Sequence, residues 1–145
     1  MPTLKEFQVQ MEGDDETAAL AAANGLTDYY GIYNDEYNTL ILKRMEALQA
    51  IEAEYNSPHG VDHSVILHLR ALVQSIESRM LVQDARMIAF RASSLAINPP
   101  TQDQVEKVKS LTTQLAVQVA RDQALQEVMT ALGEMAGLVN QIQAG

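Results

Sequence analysis

Between Val61 and Ile97 the apolar positions follow an unbroken spacing of three and four. Ile66, Leu69, Val73, Ile76, Met80, Met87, Phe90 and Ile97 make up the series, with Gln83 and Ser94 as its two polar members. That period predicts one long helix over about 61–97 with a continuous seam. Arg70, Glu77, Asp84 and Arg91 recur every seven residues along one edge of the seam. The positions opposite it, which face water in an ordinary amphipathic helix, hold Leu67, Ala71, Leu81, Val82, Ala85, Ile88, Ala89, Ala92, Leu95 and Ala96. A helix with two apolar faces needs something to cover both of them. Leu67, Leu81, Val82, Ile88 and Leu95 are therefore candidate interface residues.

Turn formers bound this segment. Asn56-Ser57-Pro58-His59-Gly60 precedes it, and Asn98-Pro99-Pro100 follows. Thr101 reads as an N-cap, with Gln104 three residues on completing a capping box. A second long helix is expected over about 101–142, because nothing in it but Gly133 and Gly137 opposes helix. Upstream, Tyr37, Leu40, Ile41, Met45, Leu48, Ile51 and Tyr55 predict a helix over about 34–56. A shorter one is expected over 14–24, ended by Asn24-Gly25. Residues 1–13 read as an arm or a short helix capped by Thr3 and Glu6.

Length then constrains architecture. At ~1.5 Å per residue the two long helices would run about 55 and 60 Å, whereas a compact chain of this size is only about 38 Å across. The fold class expected is all-α: an elongated antiparallel up-down bundle forming a single domain over 1–145. It would have two long helices and a first column broken around Gly25–Gly31. A hairpin pivoting near residue 99 would bring Arg79 to Asp122. In the last helix the apolar seam changes phase near Arg121-Asp122, and its second half is nearly uncharged. Either the helix drifts against its neighbour or Leu132, Met135 and Val139 meet another subunit.

Charge narrows the partners. The net charge is −9, and residues 1–56 carry eleven acids against Lys5, Lys43 and Arg44. With no basic stripe, neither nucleic acid nor an anionic membrane is an expected partner. No segment is apolar over the ~18–20 residues a bilayer requires, so no membrane insertion is expected. The start of the chain lacks the form of a cleavable signal peptide, which makes it cytoplasmic or exported by another route. The absence of cysteine removes disulfides, thiolate metal sites and a cysteine nucleophile.

Little chemistry remains. His59, His63 and His68, with Asp62, form the only metal-like cluster, but His59 lies in the turn. His68 falls about 140° around the helix from His63, so the three are not expected to converge on a metal. A di-iron bundle needs Glu-x-x-His pairs, and none is present. There is no Gly-rich phosphate loop or nucleophile elbow; neither an enzyme nor a cofactor is implied. Tyr29, Tyr33 and Tyr37 recur every four residues and could either cap the core or present a binding stripe. The expectation is a non-enzymatic helical assembly protein that binds itself through surplus apolar faces. The alternative is a small acidic adaptor, chaperone or inhibitor bound to one protein partner, and the third reading is a metal- or ligand-binding bundle.

Overall fold

The computed structural model describes residues 1–144, so only Gly145 of the expected 1–145 domain lies outside it. Every regular element among the described residues is helical. Helix α1 spans Leu4–Met11, and Thr3 and Glu6 close its capping box reciprocally. Helix α2 spans Glu16–Tyr55, capped by the Asp15 carboxylate on the Ala18 amide. Helix α3 spans His63–Arg91, with Asp62 accepting from the amides of Ser64 and Val65. Helix α4 spans Gln102–Val117 behind the expected Thr101/Gln104 box. A 3₁₀ turn at Asp122–Ala124 leads into α5, Leu125–Gln143.

The up-down order holds, but the break lies in a different column. Helix α2 continues for 40 residues, ~60 Å, straight through Gly25 and Gly31. Gly25 is buried against Phe7 and Pro99, where an added Cβ would lie 3.3 Å from the Pro99 ring. It serves close approach rather than a helix end. Helix α3 stops at Arg91, six residues before the expected end, in a Schellman-type turn. The Ser93 amide donates to Phe90 O and the Ser94 amide to Ala89 O, with Ser93 at φ 57°. Residues 94–100 then carry no regular secondary structure. Their Ile97 amide bonds to Pro2 O, and the Asn98 amide bonds to Ile142 O at the end of α5.

The expected helix over 101–142 is folded in two. Between Val117 and Asp122 the chain reverses, and α5 returns antiparallel beside α4. The seam's change of phase near Arg121-Asp122 marks that reversal. Helices α2, α3, α4 and α5 thus form a four-helix cross-section, with α1 closing one end against α2. The reversal also removes the expected Arg79–Asp122 pair. Asp122 lies at the far tip of the α4–α5 hairpin, and Arg79 instead grips Glu36 of α2 with both Nε and Nη2 at 3.0 Å.

Two apolar clusters fill the bundle. One gathers Leu40, Leu69, Leu72, Ile76, Leu115, Val128 and Met135. The other gathers Phe7, Tyr29, Ile32, Met87, Phe90, Val108, Val139 and Ile142. Tyr29 and Phe90 meet edge to face at 4.8 Å. A polar layer separates the clusters. Glu36 accepts from Gln83 Nε2 at 2.7 Å, Gln143 Nε2 donates to Gln83 Oε1 at 2.8 Å and to the Tyr29 hydroxyl at 3.2 Å, and Arg86 donates to Gln143 Oε1 at 2.8 Å. Asn140 Oδ1 accepts from both Arg79 and Arg86 at 2.7 Å.

Candidate interaction surface

Three pairs hold α2 against α3 and set their register. Arg44 Nε meets Glu77 Oε1 at 3.0 Å, Arg70 Nη2 donates to the Tyr55 hydroxyl at 2.9 Å, and the Tyr37 hydroxyl lies beside the Asp84 carboxylate. The heptad charges at the edge of α3 therefore seal it to α2. They also fix rotation: with 37 beside 84 and 44 beside 77, Ile41 stands level with Leu81. Beyond this sealed edge both helices turn apolar residues outward.

On α3 the outward positions are Leu67, Ala71, Gln74, Ser78, Leu81, Ala85, Ile88 and Ala92, at 4-3 spacing, and all eight are exposed. Leu67 is 65% exposed, and Leu81 and Ile88 are 69% each. Val82 is exposed on the side away from α2, while Leu95 is half-buried against the aromatic cluster in the segment after α3. On α2, Ile41, Met45 and Leu48 are exposed. The expected apolar seam of that helix is thus divided: Leu40 enters the core, joined by Ile32, Glu36, Lys43 and Ala47, and Ile41, Met45, Leu48 and Tyr55 stay outside.

The other expected interface residues fall elsewhere. Tyr29 is fully buried, so the tyrosine stripe divides. Tyr33 and Tyr37 stack at 5.7 Å, half-buried, on the flank of the α2–α3 face. Burial pushes the Tyr29 and Tyr33 hydroxyls above the usual phenol range. The bond to Asp84, with some burial, pushes Tyr37 up to about 12. Met135 and Val139 are fully buried and Leu132 is half-buried against the first cluster, so the nearly uncharged second half of the expected 101–142 helix faces inward. A straight helix would have left that face bare. The reversal turns it onto α2 and α3.

His59, His63 and His68 are all exposed, and no group of three His, Cys, Asp or Glu side chains among the described residues is arranged to hold a metal. Open grooves of about 570 Å³ and 650 Å³ lie between α4 and α5 and at the Pro58 end of the bundle. Glu46, on the wall of the second, is already engaged by Lys43 and the Ala120 amide. Every buried side-chain nitrogen and oxygen among the described residues has a partner, so the Glu36–Arg79–Gln83 layer offers no free valence to a ligand. No described helix is long and apolar enough to cross a membrane. Sequence reading singled out Gln83 as a polar seam residue but missed Glu36, Lys43 and Gln143. For Glu36 and Lys43, polar residues on the buried 3–4 series of α2 were the available signal. Comparison with protein-family models, curated proteins and solved structures finds no match to this chain.

Proposed function

We propose that the protein is a non-enzymatic assembly module that associates with further copies of itself through the outer face of α2 and α3. One observation carries the reading: the 67–92 seam of α3, with a second coiled-coil period, is exposed at all eight positions. Single exposed apolar residues are ordinary, whereas six apolar residues out of eight on one face, continued by Ile41, Met45 and Leu48 of α2, mark a protein contact. Burying Leu67, Leu81 and Ile88 is worth about 1.5–3 kcal/mol each before the costs of association. The acidic residues of 1–56 offset this stickiness by keeping the rest of the surface charged.

The test is light scattering across a concentration series, with Leu81→Glu/Ile88→Glu alongside. A mass above that of one chain, falling on dilution and reduced to one chain in the double variant, supports the reading. Both side chains are largely in water, so the variant should keep the helical circular dichroism of the parent. A single-chain mass at every concentration would overturn self-association.

A further inference from the structure

Large and small residues alternate along the exposed seam. Leu67, Gln74, Leu81 and Ile88 recur every seven positions, and Ala71, Ser78, Ala85 and Ala92 fall between them. The series is symmetric about the midpoint between Arg79 and Met80. A two-fold axis through that midpoint runs α3 antiparallel to α3 of a second copy and sets each large residue over a small one. Leu67 covers Ala92 of the second copy, Ile88 covers Ala71, Gln74 covers Ala85, and Leu81 covers Ser78. Small residues on alternate layers allow the axes to approach to about 8 Å rather than 10 Å, with the large side chains filling the space beside them.

Area shows that α3 alone is insufficient. Twenty-six residues rise ~38 Å, and a strip ~10 Å wide covers about 400 Å² per copy, half the ~800 Å² per partner of a stable complex. The rest has to come from α2. An antiparallel pairing about this axis brings the Arg70–Arg91 edge of each α3 beside its own equivalent, so that both α2 helices lie on the same side. Ile41 is level with Leu81, so Ile41 and Leu81 of both copies gather at the axis, with Met45 and Leu48 beside them. These residues extend the strip towards the ~600 Å² per copy at the low end of specific interfaces, the size of a reversible dimer. A parallel pairing would set α2 against the opposite flank and leave Ile41 and Leu48 in water. Along this edge Glu77 falls opposite Asp84 of the second copy and Arg70 opposite Arg91, like charges in both pairs; within each chain Arg44 engages Glu77 and the Tyr55 hydroxyl engages Arg70, so the pairing rests on the apolar contacts.

We propose that two copies dock by antiparallel pairing of α3 about a two-fold axis between Arg79 and Met80, with Ile41 and Leu81 at its centre. The inference rests on the self-association reading above. The chain has no cysteine, so introduced thiols report without background. Ser78→Cys and Leu81→Cys chains, one carrying a mass tag, are oxidised separately and mixed, and Gln74→Cys with Ala85→Cys serves as a second pair. Mixed disulfides at both pairs, in several-fold excess over like-with-like products at Gln74/Ala85, support the docking. Like-with-like products in excess at Gln74/Ala85, whose like residues lie ~16 Å apart along the helices in this docking, indicate a parallel dimer and overturn it. A Leu81→Cys/Ala85→Cys product in excess of the Ser78→Cys/Leu81→Cys product indicates a slipped register and also overturns it. If scattering shows dimers and no pair cross-links, this docking fails while self-association stands; if scattering shows only single chains, both fail.

Discussion

The buried ammonium of Lys43 donates to the carbonyl oxygen of Gln118, the first residue beyond α4. Three residues along α2, Glu46 accepts from that same ammonium at 2.7 Å and from the Ala120 amide at 3.1 Å. One i,i+3 pair on α2 therefore satisfies both a carbonyl and an amide that α4 releases as it ends. The chain reverses where those partners are waiting.

Replacing Lys43 with methionine keeps the bulk and removes the ammonium. Glu46 and the Gln118 carbonyl then lose their partner in a largely dry site. The expected loss is about 2–4 kcal/mol by urea denaturation, below the full cost of a deeply buried pair because Glu46 is slightly wet. Glu46→Gln retains an acceptor for the Ala120 amide and should cost about half as much. A loss under 0.5 kcal/mol for Lys43→Met would show that the reversal does not depend on this clip.

The Glu36–Arg79 pair gives a second expectation. Glu36→Ala leaves the Arg79 guanidinium uncompensated against Gln83 and Asn140, and should cost about 3–5 kcal/mol. Combining Glu36→Leu with Arg79→Met replaces the pair with apolar volume and should recover most of that loss. Additive losses in the double-mutant cycle would show that the two side chains act independently.

Gly31 and Gly25 should respond in opposite directions to the same substitution. An added Cβ at Gly31 meets open space, so Gly31→Ala should stabilise α2 by about 0.5–1 kcal/mol through helix propensity. At Gly25 the Cβ would press on the Pro99 ring at 3.3 Å and on Phe7 at 3.5 Å. Gly25→Ala should therefore lower the melting temperature, and equal gains at both sites would contradict the packing of Pro99 on α2.

Tyr37 makes stability sensitive to alkaline pH. The Asp84 carboxylate accepts the phenol proton and pushes its loss up to about 12, against an ordinary value of 10.0. The folded chain therefore holds a proton that the unfolded chain releases. The stabilisation is complete below pH 10 and is lost as pH rises from 10 through about 12. Ultraviolet titration of the tyrosines should show Asp84→Asn moving one phenol down towards the ordinary range. Tyr37→Phe should flatten the fall in stability over this window; an unchanged slope would place the proton elsewhere.

Much of the local structure was legible in the chain. Thr3 with Glu6 and Thr101 with Gln104 form the boxes their spacing implies. The two apolar faces of α3 are both present, one buried through Ile66, Leu69, Val73, Ile76, Met87 and Phe90, the other bare through Leu67, Leu81 and Ile88. The exposure of Leu67, Leu81, Val82 and Ile88 was legible because a face opposite a filled seam has nowhere to be buried within one helix. Met135, Val139 and Tyr29 were misassigned because their cover comes from helices far along the chain.

What the sequence alone determined is what neighbours three or four residues apart decide: where helices start, their period and how many faces they carry. Tertiary structure alone decided where the long columns break. Gln118-Val119-Ala120-Arg121 contains neither glycine nor proline, and its residues before α5 need no left-handed backbone, yet the helix ends there because Lys43 and Glu46 hold the freed groups. Gly25 and Gly31 carry the composition of a break, yet α2 continues because Phe7 and Pro99 close over Gly25. At the reversal, local helix preference is under about 1 kcal/mol per residue, less than the cost of leaving Lys43 or Glu46 without a partner; at Gly25, burial of Phe7 and Pro99 outweighs the ~1 kcal/mol helix penalty of glycine.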